Sequence, residues 1–97
     1  MKKWKYVVCR TYSAGVFAGE LVARKGKEIE LRNARRLWYW AGAASLSQLS
    51  QEGVTEPNKC KFPRIVPRVV LTECIELLPL SDVARKSISE VPVWESK

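Results

Sequence analysis

Hydrophobic and polar residues alternate along the first third of the chain with the period of two that marks half-buried strands. From Trp4 to Tyr12, the residues Tyr6, Val8, Arg10 and Tyr12 fall on one face and Lys5, Val7, Cys9 and Thr11 on the other. Ser13-Ala14-Gly15 supplies a turn, after which Val16 to Arg24 alternates again with Phe17, Leu21 and Ala23 together, so the two strands form a hairpin. Lys25-Gly26-Lys27 gives the next tight turn, because glycine takes positive φ at no steric cost. Lys27 to Leu31 then returns as a third strand with Ile29 and Leu31 facing inward. Asn33 and Ala34 interrupt the alternation, which predicts a bulge or corner before a further extended piece from Arg35 to Trp40.

The pattern changes at Gly42. Ser45, followed three positions on by Gln48, matches a capping box, and Leu46 and Leu49 are spaced to face a core; a short helix over Leu46 to Glu52 stops at Gly53. Val54 to Pro67 holds three prolines and is a long connection, wrapped across the sheet by Phe62 and Ile65. Val69 to Leu78 reads as one strand covered on both faces. Ser81 caps a second helix from Asp82 to Glu90, with Ala84, Ile88 and Val91 on one stripe and Pro92 at its end. Val93-Trp94 is an edge strand or an intersubunit contact. The predicted fold is α+β, a single small domain over residues 1–97 with an antiparallel sheet of about four to five strands and two short helices.

Composition narrows the class. A chain of 97 residues buries a thin core that gains from a partner subunit or ligand, which favours a homo-oligomer. With 46% hydrophobic and 28% charged residues and no low-complexity run, it folds rather than staying disordered. No apolar run approaches the roughly 20 residues of a membrane span, and Met1-Lys2-Lys3 leads into Trp4 and Lys5 rather than a signal-peptide core; the expectation is a cytoplasmic protein without a membrane partner. Cys9, Cys60 and Cys74 are odd in number and lack close metal-ligand spacing, which argues against a disulfide framework or a zinc site. Histidine is absent, removing the commonest general base. The chain therefore reads as non-enzymatic, with no cofactor.

Charge is unevenly placed: residues 1–40 hold ten basic against three acidic side chains, while residues 41–97 hold seven of each. The whole excess of +7 belongs to the N-terminal part and favours an anionic partner there, although a solvated basic face explains it equally well. The stretch from Arg35 to Leu49 combines two arginines, Trp38, Tyr39 and Trp40 with small residues at a helix start. Guanidinium groups, flat ring faces and free helix amides suit a planar anion such as a nucleotide. If the segment is extended, Arg36, Trp38 and Trp40 share one face and Arg35, Leu37 and Tyr39 the other, so the first trio is the candidate platform. Tryptophans in so small a chain also serve as core anchors. Gly42, Ala43 and Ser45 let a ligand approach the backbone, or pack the helix tightly on the sheet. Arg10 and Tyr12 share a face near the first turn and form a second candidate pair. Lys59, Lys61 and Arg64 surround Cys60, which without a resolving cysteine or base reads as an inert thiol.

The run Arg35 to Gly53, with Arg10-Thr11-Tyr12-Ser13-Ala14-Gly15, Cys60-Lys61-Phe62-Pro63 and Val91-Pro92-Val93-Trp94, resembles a family of small proteins encoded by phages and prophages whose function is uncharacterised. The resemblance spans almost the whole chain and carries no binding residues over. It implies an accessory protein that acts by binding. Together with the basic and aromatic elements, it points to sequestration of an anionic nucleotide second messenger of host anti-phage defence. A nucleic-acid-binding module, or a protein-protein module that blocks a host protein or serves particle assembly, is the alternative.

Overall fold

A computed structural model, describing residues 5–96, contains one five-stranded antiparallel sheet and two helices, the α+β class that the alternation predicts. Strands β1 (Tyr6–Thr11), β2 (Val16–Lys25) and β3 (Glu28–Arg36) form a meander. Strand β4 (Val66–Leu71) lies beside β3 and β5 (Cys74–Pro79) beside β1, giving the order β4-β3-β2-β1-β5. Helix α1 (Leu46–Glu52) and a single 3-10 turn (Pro57–Lys59) occupy the long β3–β4 connection, and α2 (Asp82–Glu90) follows β5.

That strand order forces the sheet to curl. β4 and β5 sit at opposite edges, yet only Thr72 and Glu73 separate them. Five strands laid flat would place those edges about 19 Å apart. The three virtual bonds from Leu71 to Cys74 span at most about 11 Å. The sheet therefore curls, so that its two edges approach each other at this end. Two hydrogen bonds tie the seam to the hairpin ends: the Cys74 amide donates to the Lys27 carbonyl at 2.9 Å, and the Tyr12 amide donates to that of Glu73 at 3.0 Å.

Two cores result. The inner one is made of strand residues alone, with Val7, Cys9, Phe17, Ile29, Leu31, Ala34 and Leu71 buried inside the curl. The outer one lies on the convex face, where Val8, Ala18 and Leu37 meet Leu46 and Leu49 of α1, Phe62 of the long connection and Ile88 of α2.

The stretch read as one strand from Val69 to Leu78 is two strands on opposite edges. Glu73 falls on the same alternation face as Val69, Leu71, Ile75 and Leu77 and carries a charge that this face cannot bury; the strand breaks there, and Glu73 instead accepts a hydrogen bond from the Ser13 hydroxyl at 3.0 Å. Ile75 is exposed as a consequence. The predicted bulge is present: Asn33 has φ 51, and β3 runs through it to Arg36. It puts Leu31 and Ala34 on the inner face and turns Arg35 to the outer one with Leu37. Strand pairing ends at Arg36, so the extended piece expected to reach Trp40 is reduced to an isolated bridge between Tyr39 and Lys61.

Both helices start and stop where their caps predict. The Ser45 hydroxyl accepts from the Gln48 amide at 3.1 Å, and the Ser81 hydroxyl accepts from that of Ala84 at 3.0 Å. In α1 the return arm of the box lands one residue early, the Gln48 side chain accepting from the Ala44 amide at 2.8 Å. Phe62 is fully buried as expected, whereas Ile65 is exposed. Trp4, with which the first predicted strand begins, lies outside the described residues.

Candidate functional site

The site is built on Arg35. Its side chain is only 3% exposed, yet it enters none of the ion pairs among the described residues. Its guanidinium donates instead to four backbone carbonyls: Nε to Pro63 at 3.0 Å, Nη1 to Ile88 at 2.7 Å, and Nη2 to Phe62 at 3.2 Å and Val91 at 2.7 Å. Two of these carbonyls belong to the C-terminal end of α2, where backbone dipoles favour a cation. Burial lowers the pKa of Arg35 from its ordinary value, and four charge-assisted hydrogen bonds hold the group in its charged form. One side chain thus fastens the sheet, the end of α2 and the Phe62–Pro63 turn to one another.

Three chain segments are laid side by side around this fastening. Tyr39 and Lys61 exchange two backbone hydrogen bonds, at 3.3 and 2.8 Å. Pro92 turns the chain after α2, Val93 bridges Phe62, and the Trp94 amide donates to the Phe62 carbonyl at 3.0 Å, the same oxygen that Arg35 holds. The arrangement brings Trp38 and Trp94 together. Their rings stack with centroids 5.1 Å apart and planes at 12°, too close to admit a third ring between them. Lys61 Nζ lies 5.3 Å from the Trp38 ring centre and 5.6 Å from that of Trp94. Those three distances form a nearly equilateral triangle, so the ammonium stands beside the stack rather than on either outer ring face.

The platform is open, with Trp38 58% and Trp94 46% exposed. Its basic residues differ in pairing. Lys59 pairs with Glu56 at 3.0 Å and Arg64 with Glu95, whereas Lys61 enters no ion pair among the described residues. Two flat aromatic faces and an unpaired ammonium can stack a planar ring and meet an anionic group beside it.

The trio expected to form the platform is dispersed, and the second candidate pair and the small residues at the helix start lie apart from it. Arg36 lies 4.3 Å over the Phe17 ring and donates to the Ala14 carbonyl, covering the inner core beside the first turn. Trp38 joins Trp94, while Trp40 is half-buried against the outer core, so the alternation that would align Arg36, Trp38 and Trp40 ends with the strand. Gly42 has φ +91, and a Cβ there would lie 2.5 Å from the Thr55 amide nitrogen; the close approach that glycine allows is taken by Thr55. Ala43 packs on the outer core and Ser45 caps α1. Arg10 pairs with Glu76 at 3.3 Å, and Tyr12, on the same stretch of chain, is 77% exposed.

Lys61 and Trp94 are the partners that alternation does not find. In the sequence Lys61 stands out only as a neighbour of Cys60, and Trp94 only as part of an edge strand or intersubunit contact. Cys60 is buried between the Ala41 amide at 3.4 Å and the Glu56 carbonyl at 3.5 Å. Among the described residues no group of three or more His, Cys, Asp or Glu is placed to hold a metal ion, and no helix is long and apolar enough to cross a membrane.

Fold and site together define a small curled antiparallel sheet, covered on one face by two helices, that displays an aromatic and cationic platform. The chain belongs to the family described as a domain of unknown function (DUF6948), which matches residues 4–88. No curated protein and no solved structure matches it.

Proposed function

We propose that this is a non-enzymatic binding protein that stacks a nucleobase on the outer face of the Trp38–Trp94 pair and holds the adjoining phosphate with Lys61. The observation that carries this reading is two stacked, half-exposed tryptophans beside an ammonium that has no carboxylate partner among the described residues. A contiguous exposed aromatic patch marks an interaction site. The ligand class is an anionic nucleotide. The motif resemblance adds the setting: a phage-encoded accessory protein acting in the host cytoplasm, sequestering a nucleotide second messenger of anti-phage defence. A second copy of the chain would close the open platform into a pocket.

The openness of the platform favours single-stranded nucleic acid as the second reading, since successive bases can continue a stack that nothing covers. The two readings separate on titration of tryptophan fluorescence with mono-, di- and cyclic nucleotides and with oligonucleotides of increasing length. Sequestration predicts saturable quenching by one nucleotide class and no gain with length. Nucleic-acid binding predicts affinity that rises with length and falls steeply with salt. In either case Trp38→Ala weakens binding roughly 5- to 100-fold, the worth of one stacked base. Absence of quenching by every nucleotide and oligonucleotide at low salt rejects both.

A further inference from the structure

Cys9 and Cys74 have no part in the platform. Their sulfur atoms lie 3.0 Å apart across the β1–β5 seam, both as free thiols. Cys9 is wholly buried in the inner core, and Cys74 is half-buried at the first position of β5. A register shift between Arg10 and Thr11 sets Cys74 opposite Thr11 and brings it diagonally beside Cys9. The two side chains already meet, and reaching a bond of about 2.05 Å asks the sulfurs to close by about 1 Å. Cys74 is the more exposed of the two and so the sulfur that an oxidant reaches first, while burial raises the pKa of the Cys9 thiol. Cys60 belongs to the outer core, on the opposite face of the sheet, and serves as an internal control.

We propose that Cys9 and Cys74 are a thiol pair that oxidises to an intramolecular disulfide, locking β5 onto β1. The oxidant class is a small-molecule disulfide such as oxidised glutathione. The Cys74 thiolate attacks one of its sulfurs, forming a mixed disulfide and expelling one glutathione thiolate. The Cys9 thiol then gives its proton to solvent as its sulfur attacks Cys74 Sγ, and the second glutathione thiolate leaves. Two protein thiols are oxidised while one glutathione disulfide becomes two glutathione thiols. β5 is the edge strand that pairs only with β1 and leads on to α2 and Trp94, so the bond fixes the strand from which half of the platform hangs.

The test is to equilibrate the reduced full-length protein in glutathione buffers of increasing oxidising strength, alkylate the remaining thiols and map the peptides. The expected product is a Cys9–Cys74 linkage with Cys60 alkylated, and a melting temperature raised by roughly 10 °C or more. Cys74→Ser, on the more exposed and better tolerated side, should abolish both changes. Cys9→Ser should stall as the Cys74–glutathione adduct. Equal alkylation of all three cysteines in excess oxidised glutathione, a linkage through Cys60, or a wild-type protein that stops at the glutathione adduct would each overturn the proposal.

Discussion

Arg35 and Trp38 stand three residues apart and both reach the segment around Phe62, one from inside the molecule and the other from its surface. Arg35 is sealed in, with its charge distributed over four carbonyls. Trp38 has one ring face on Trp94, a lysine ammonium 5.3 Å from its ring centre and more than half of its surface in water. The contrast separates two uses of residue types that look alike in a sequence. A cation whose hydrogen bonds all go to the chain's own backbone organises the structure, whereas an ammonium and rings left without such partners are what a ligand can use.

The largest effect should come from the buried side. Arg35→Ala removes four hydrogen bonds, and although Phe62 keeps the Trp94 amide and Ile88 the Val91 amide, the Pro63 and Val91 carbonyls lose their donor among the described residues. The change should cost more than about 3 kcal/mol in urea unfolding, enough to release α2 and the C-terminal segment. Arg35→Lys keeps a charge but loses the fork and should cost about 2 kcal/mol. If Arg35→Ala unfolds at the wild-type midpoint, the fastening described above is wrong.

Gly42→Ala comes next. It drives a methyl into Thr55 at a left-handed backbone position and should destabilise by about 1–3 kcal/mol without touching the platform. Retention of ligand affinity in this variant distinguishes a packing glycine from one that cradles a phosphate.

Trp94→Ala should reverse the order of effects: about 1 kcal/mol of stability, the worth of a stacked pair, against a roughly 5- to 100-fold loss of affinity. A variant that loses stability and keeps affinity would move the site elsewhere. Smallest of all, Arg64→Ala removes an exposed ion pair with Glu95 and should change stability by less than about 0.5 kcal/mol; a larger loss would mean that this pair helps to order the C-terminal segment.

The parts of the fold that depend on neighbouring residues were legible in the sequence. Serine caps and glycine or proline stops placed α1 and α2, and alternation placed β1 to β3 and set Arg35 with Leu37 on the face opposite Arg36. What failed depended on distant chain. The split of β4 from β5 depends on how the whole sheet curls, and its local trace was a single charged residue, Glu73, in an otherwise apolar alternation. The platform was half legible for the same reason. Trp38 stood out, but Lys61 and Trp94 join it through an isolated bridge and a turn after α2, where no periodicity says which way a side chain points. Trp38 and Trp40, identical in type and expected on one face, part company because strand pairing stops at Arg36.

The central claim is that Trp38 and Trp94, rather than Trp40, meet the ligand. Nuclear magnetic resonance of the indole Nε1–H groups tests it most directly, with each signal assigned by single Trp→Phe substitution and followed during nucleotide titration. The account predicts that the Trp38 and Trp94 signals shift together and saturate at one ligand concentration while that of Trp40 stays in place. Movement of the Trp40 signal with Trp38 and Trp94 unchanged would contradict it.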